Sequence, residues 1–575
     1  MRRLYLVLGG VGSLLLSGCA TRGLAPTAPI AVSAFDHDPD ASSYGQFLAG
    51  QAAVDHGESA TAEGYFGKAA GLDAGGDQVL LTTRTFTSAL LAGDIARAAE
   101  TAPSGPDADN GMRHLGALVR GVEALSQGKP RQARVALTGP DSGAPDEPAS
   151  ALLTPFAAAA AGDVAGSIVL PVIKGEPIAQ FFANLDQGKL FERARRYDEA
   201  ETAFRALIAK GDPGGIASLN LGEMLERRGR PADAVAIYDT AIAGKKDNSE
   251  LEAARVRAAA HKPAPPLDPL RTSAAEALIA PATALLIDKQ EEIALAYLRL
   301  ALRLDSTRDE AWMLVGDVLS SNADEAGARM AYAKVKPLSS QYIAARTKLA
   351  WSYQGSEEQD TALATARETL AQKPDDPDAA ITLADLLRAD EHYDESAKVL
   401  DGLIGDKPEA ADWKLLYMRA TDFEESGHWA DAERDLQVAL KIRPDEPELL
   451  NFLGYSWIDR GVRLPEAIAM VQKAVDLQPQ SGAMIDSLGW GYYRMGDYPA
   501  AVDKLEAAIV LEPGDPDVNN HLGDAYWRVG RKIEAGFQWR RVLTLDPPAK
   551  LKAEVEAKLA SGLDARGGAP VVATK

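Results

Sequence analysis

LLNFLGYSWIDRGVRLPEAIAMVQKAVDLQPQ (residues 449–480), SGAMIDSLGWGYYRMGDYPAAVDKLEAAIVLEPGD (481–515) and PDVNNHLGDAYWRVGRKIEAGFQWRRVLTLDPP (516–548) follow one another without a break. Superposed, the three lines repeat one pattern. A Leu-Gly pair (Leu453-Gly454, Leu488-Gly489, Leu522-Gly523) precedes an aromatic cluster. A turn glycine follows (Gly461, Gly496, Gly530), then an alanine (Ala467, Ala501, Ala535) and a large apolar residue (Val471, Leu505, Trp539). Prolines 479, 513 and 547 close the units at intervals of 34 residues. The glycines of the Leu-Gly pairs fall inside helical patterns, where Gly costs about 1 kcal/mol against Ala. Close approach of a second helix would offset that cost, with Ala501 and Ala535 filling the other side of the contact. The closing proline cannot continue a helix.

The period and the pattern match the tetratricopeptide repeat, a helix–turn–helix unit. One unit cannot bury its apolar stripe alone, so several must stack. The fold class predicted is all-α, a right-handed α-solenoid of tetratricopeptide repeats. Weaker copies recur upstream, among them Gly50/Ala62/Phe66, Gly188/Ala200/Phe204, Gly222/Ala234/Tyr238 and Gly316/Ala328/Tyr332.

The chain begins MRRLYLVLGGVGSLLLSGCATRG. Arg2 and Arg3 form a positive region, and Leu4 to Leu16 an apolar run too short for a bilayer, which needs about 20 residues. The run suits a signal-peptide core over residues 1–18. Leu16-Ser17-Gly18-Cys19 resembles a bacterial lipobox, which makes Cys19 the expected lipid attachment site. Cys19 is also the only cysteine, so no intramolecular disulfide can form. Three acyl chains there would anchor more firmly than one. Ala20, rather than Asp, follows the cysteine. Resemblance to sorted lipoproteins therefore implies the outer membrane, with the chain facing the periplasm. Residues 19–42 read as the acylated cysteine and a stalk, and 43–260 as an N-terminal array of degenerate repeats. The segment 261–272 (HKPAPPLDPLRT) reads as a Pro-rich joint, since four prolines exclude a continuous helix. Residues 273–547 read as the C-terminal array, 548–561 as a capping helix and 562–575 as a disordered tail.

A net charge of -22 argues against nucleic-acid partners and against docking on anionic headgroups. The membrane link expected is the lipid anchor. Beyond the signal, no long apolar run reads as a transmembrane helix. The seven histidines form no HxxxH or HExxH pair, and neither a phosphate loop GxxxxGK[ST] nor a GxSxG elbow occurs. No catalytic residue, metal ligand or cofactor is predicted, and the chain reads as a non-enzyme.

A solenoid of this kind acts through its concave face, lined by the first helix of each unit. Helical geometry sends Asn451, Tyr455, Ile458 and Asp459 inward from the first strong unit. The second contributes Asp486, Trp490, Tyr493 and Arg494, and the third Asn520, Asp524, Trp527 and Arg528. Aromatic faces beside Arg and Asn have the composition of protein-binding hot spots, and Asn can hydrogen-bond a peptide backbone. Tyr492 and Tyr526 fall at buried positions and read as packing residues.

The marks LGY, then DSLGW with YYRMG, then HLGD with a following Trp and Gly resemble the C-terminal block of a family of Gram-negative tetratricopeptide lipoproteins. That family includes the lipoprotein adaptor of the periplasmic carboxy-terminal processing protease. The resemblance covers about the last hundred residues. It implies an outer-membrane adaptor whose periplasmic partners are a protease and peptidoglycan hydrolases. Two other readings stand beside it: a scaffold for envelope assembly or polysaccharide export, and a wall-active enzyme. The second needs a catalytic domain, for which the sequence after Pro547 leaves little room.

Overall fold

The computed structural model describes residues 42–72, 78–105, 108–143, 147–243 and 248–563. The signal peptide, Cys19, the stalk to residue 41 and the tail from 564 lie outside the described residues. Among the described residues there are thirty α-helices, short 3-10 turns and no strand. They form two compact units, 42–356 and 357–563.

Within 357–563 the helices run as consecutive antiparallel hairpins: Trp413–Glu425 with Trp429–Ile442, Pro447–Arg460 with Leu464–Leu477, Gly482–Met495 with Tyr498–Leu511, and Pro516–Arg528 with Lys532–Leu543. Each hairpin packs against the next, and helix Ala549–Ser561 ends the series on Lys532–Leu543. The mid-helix glycines explain the tight pairing. A Cβ on Gly454 would lie 2.6 Å from Val471, one on Gly489 2.6 Å from Leu505, and one on Gly523 2.5 Å from Trp539. The neighbour that demands glycine is therefore the large apolar residue, where the sequence suggested the alanine. Ala467, Ala501 and Ala535 are fully buried beside it.

The turn glycines have φ of 69° at Gly461, 85° at Gly496 and 87° at Gly530. Each places the next amide to close the helix end: Val462 N donates to Trp457 O, Asp497 N to Tyr492 O and Arg531 N to Tyr526 O, all at 2.9 Å. This left-handed C-terminal cap favours glycine because no Cβ opposes it.

The unit 42–356 departs from simple stacking. Residues 262–269 carry no helix, yet the helices beyond them fold back onto earlier ones. Leu270–Ile287 packs on Pro148–Ala160 and on Pro177–Arg193, while Glu291–Leu304 packs on Gln78–Ala92 and Asn110–Ser126. Phe86, Val119, Phe156, Leu278 and Leu298 share one core. Arg303 grips Glu123 through two bonds of 2.7 and 2.8 Å, Arg299 Nε donates to Leu91 O at 3.0 Å, and Lys189 pairs with Glu276 at 2.9 Å. The division expected at 261–272, with arrays over 43–260 and 273–547, is thus corrected: the Pro-rich segment is a connection inside the first unit. Prolines stop the helix but leave its flanks free to share a core, and Arg227 Nη1 ties the segment down at Pro265 O, 2.9 Å away.

Helix Leu270–Ile287 is long and apolar enough to cross a membrane by length and composition, a property not singled out in the sequence. Here Ala274, Ala275, Ala277, Leu278 and Ile279 enter the core of the first unit.

Candidate protein-binding site

Residues four apart on a helix share a face. Helix Pro447–Arg460 thus carries Asn451, Tyr455 and Asp459 as one stripe. Gly482–Met495 carries Asp486, Trp490 and Arg494, and Pro516–Arg528 carries Asn520, Asp524 and Arg528. The stripes are held side by side by links one repeat long. Arg494 Nη1 donates to Asp459 O at 2.7 Å, and Arg528 Nε donates to the Tyr493 hydroxyl at 3.3 Å. His521 Nδ1 meets Asp486 at 2.9 Å.

In the first stripe, Asn451 is buried and its Oδ1 has no hydrogen-bond partner among the described residues. Tyr455 is half-buried and Asp459 exposed. Burial raises the Tyr455 hydroxyl well above its ordinary pKa, and Asp459, Asp486 and Asp517 raise it further. In the second stripe, Trp490 is half-buried and stacked between two rings. Tyr493 lies 4.7 Å away at 8° and His521 4.2 Å away at 15°. The Trp490 Nε1 is buried without a partner among the described residues. Burial opposes a charge on His521, but the Asp486 carboxylate outweighs it, with Asp517 and Asp524 adding to the pull. The imidazole is lifted to about 9 and is charged at neutral pH.

The third stripe is already occupied. Lys558, from helix Ala549–Ser561, sits buried with its Nζ 2.8 Å from Asn520 Oδ1 and 2.8 Å from Asp524 Oδ2. Trp539 Nε1 donates to the other Asp524 oxygen at 3.0 Å. Trp527 packs against Trp539, centroids 5.4 Å apart, and Gly562 presses on its indole.

The predicted inner residues therefore divide. Asn451, Tyr455, Asp459, Asp486 and Trp490 come together on one face. Asn520, Asp524 and Trp527 are covered by helix Ala549–Ser561 and the residue after it. Arg494 and Arg528 join neighbouring repeats, and Tyr493 is buried in the stack. Tyr526 is buried, with its hydroxyl donating to Glu506 at 2.8 Å, and Tyr492 is half-buried.

Sequence reasoning assigned no role to His521 or Lys558. A signal existed: opposite charges recur at one repeat's separation. Arg388–Asp422 spans 34 residues, Arg227–Glu192 35, Arg460–Glu424 36 and Lys558–Asp524 34. The first three pairs join the first helices of adjacent units, and Lys558–Asp524 joins the last unit to the helix that follows it.

Comparison with known proteins finds the same repeat in four segments of the chain. The family profile described as "Tetratricopeptide repeat" matches residues 185–250, 347–415 and 417–482, and one described as "TPR repeat" matches 491–530. The fold is an all-α solenoid of tetratricopeptide repeats, and the matching profiles cover somewhat less than half of the chain. The TPR repeat-containing protein PA4667 of Pseudomonas aeruginosa is 34% identical over 128 residues, which is 22% of this chain and 21% of that relative. The match thus spans about a fifth of that relative's length. Similar solved structures include a tetratricopeptide repeat protein from Parabacteroides merdae (14% identity, 44% of this chain and 98% of that one, TM-score 0.38). Another is the Cut9–Hcn1 complex of APC/C (16% identity, 84% and 96%, TM-score 0.36).

Proposed function

We propose that this chain is a non-enzymatic adaptor held at the outer membrane through acylated Cys19. Facing the periplasm, it brings a carboxy-terminal processing protease to peptidoglycan hydrolases. Partners dock on the face formed by Asn451, Tyr455, Asp459, Asp486 and Trp490. The observation that carries the reading is the repeat block 449–547, whose LGY, DSLGW and HLGD marks resemble the adaptor lipoproteins. The lipobox at Cys19 supports the tether. Linked binding raises the effective concentration of two partners to about millimolar when the linkers are short and flexible, so bringing protease and substrate together needs no chemistry from the adaptor.

The test is a crosslinking pull-down from solubilised membranes, comparing wild type with a Tyr455→Ala/Trp490→Ala variant. Recovery of a protease or wall hydrolase by the wild type, and its loss in the variant, is the expected result. Recovery of neither class by the wild type would end the adaptor reading. Labelled palmitate incorporated by the wild type but not by Cys19→Ser tests the anchor.

A further inference from the structure

We infer that the face formed by helices Pro447–Arg460, Gly482–Met495 and the start of Pro516–Arg528 takes a lysine-rich, extended segment of a protein partner. The inference rests on the docking face proposed above and adds the chemistry of what docks there.

Charge is distributed unevenly along the chain. Residues 357–563 hold 40 Asp and Glu against 23 Lys and Arg, whereas the remainder holds 43 against 38. Part of that excess lies on the inner face. The charges of Asp459, Asp486 and Asp517 act on the Tyr455 hydroxyl, opposed by Arg494. At the start of the same helix, burial and then Glu448 raise the Glu446 carboxyl, against the opposing pull of Arg443 and Lys414. Glu448 Oε2 is buried without a partner among the described residues. Arg494 is paired with Asp459 and His521 with Asp486, which offsets part of that charge, while Arg528 bonds the Tyr493 hydroxyl.

An independent observation comes from the third stripe, where the occupant is visible. Lys558 enters with its ammonium on an Asn oxygen and an Asp carboxylate, both at 2.8 Å. Asn520 and Asp524 hold the positions that Asn451 and Tyr455 hold in the first stripe and Asp486 and Trp490 in the second. The chain's own lysine therefore shows an ammonium seated on this face by an Asn–Asp pair, of which the first stripe keeps the Asn. In the first stripe the equivalent amide oxygen, Asn451 Oδ1, is buried and unpartnered among the described residues, an acceptor this face leaves unused. Half-buried Tyr455 and Trp490 supply flat surfaces for lysine stems and for cation–π contact.

The experiment uses the full chain. Fluorescence anisotropy follows binding of a labelled Lys-Ala peptide and of its Glu-Ala counterpart, with helical circular dichroism confirming that each variant is folded. The Lys-Ala peptide should bind and weaken about tenfold as salt rises through the screening range. Asp459→Lys with Asp517→Lys should weaken it about tenfold again. Asp503→Lys, on the exposed side of helix Tyr498–Leu511, should change binding less than about twofold. Preference for the Glu-Ala peptide would overturn the inference, and so would equal weakening by Asp503→Lys. If the pull-down depends on Trp490 while the Lys-Ala peptide fails to bind, the basic-partner inference falls and the docking face stands. A pull-down indifferent to Trp490 removes the face itself.

Discussion

The two compact units are built from the same helical hairpin and use it differently. In 357–563 each hairpin meets its neighbours, and the charged links span one repeat, as in Arg388–Asp422 and Lys558–Asp524. In 42–356 one-repeat links such as Arg227–Glu192 are joined by far longer ones: Arg303 bonds Glu123 across 180 positions and Arg299 bonds Leu91 across 208. The first arrangement leaves helix faces uncovered along the array, which suits a docking surface. The second puts such faces into a shared core. Stacked repeats approximate a sum of local stabilities and neighbour terms, whereas a closed core couples distant segments.

Core truncation should separate the two behaviours most strongly. Trp539→Ala removes a side chain 1% exposed that packs on Gly523 and Trp527, at a cost of about 3–5 kcal/mol. Faster hydrogen exchange should then stay within about the last two hairpins and the terminal helix. Phe156→Ala, in the shared core of the first unit, should cost a similar amount but raise exchange from Gln78 to Gly355. Loss of protection across all of 357–563 in the first variant would mean that the array is not a nearest-neighbour stack.

Titration of two buried groups sharpens the contrast, Asp186 in the first unit and His521 in the second. Asp186, beside a small cavity lined by Leu152, Pro155, Val169 and Pro171, is pushed up to about 7 by burial; Lys189 opposes the rise and Glu276 adds to it. A raised carboxyl favours the folded state when protonated. Stability of 42–356 should therefore fall as pH rises from about 4 to about 7, by at most about 4 kcal/mol. Asp186→Asn should abolish that slope and stabilise the unit above neutral pH. His521, lifted to about 9, contributes stability that is complete below about 6.5 and lost through about 9, worth about 3 kcal/mol to 357–563. Urea midpoints across pH, followed by hydrogen exchange in each unit, would show the two windows. A His521→Gln variant that keeps the alkaline slope would refute the assignment.

The smallest effect concerns turns. Where the last three repeats carry Gly461, Gly496 and Gly530, the first unit places Ala323 at φ 63°. The same closing bond forms there, Asp324 N donating to Leu319 O at 2.9 Å. A side chain in this conformation is disfavoured, so Ala323→Gly should stabilise the first unit by about 0.5–1 kcal/mol, read as a shift of its urea midpoint. No shift would mean that the turn is not where the upstream repeats lose stability.

That turn also explains why the upstream repeats are faint in sequence. Arg195, Lys289, Ala323, Glu357 and Glu391 all take positive φ where the strong units have glycine, so the backbone keeps a conformation that its residues no longer advertise. The close helix contact stayed legible, because Gly188 still faces Phe204 and Gly222 still faces Tyr238. Of the candidate face, the stripe positions could be read from helical spacing. Which of them remained uncovered was legible only in part: the 34-residue spacing of Lys558 and Asp524 was a signal, but nothing marked Gly562 as the cover of Trp527.

The sequence by itself determined the helical hairpin, its period and the glycine-to-large-residue contact within it, since these depend on residues close along the chain and recur often enough to be recognised. Only the tertiary structure decided that helices Leu270–Ile287 and Glu291–Leu304 return to the start of their unit, that the Pro-rich segment connects one core instead of dividing two, and that Lys558 fills the last stripe. Periodicity specifies what each repeat offers its neighbour. Meetings between segments far apart along the chain depend on small rotations summed over many repeats and on the shapes that come together at the end.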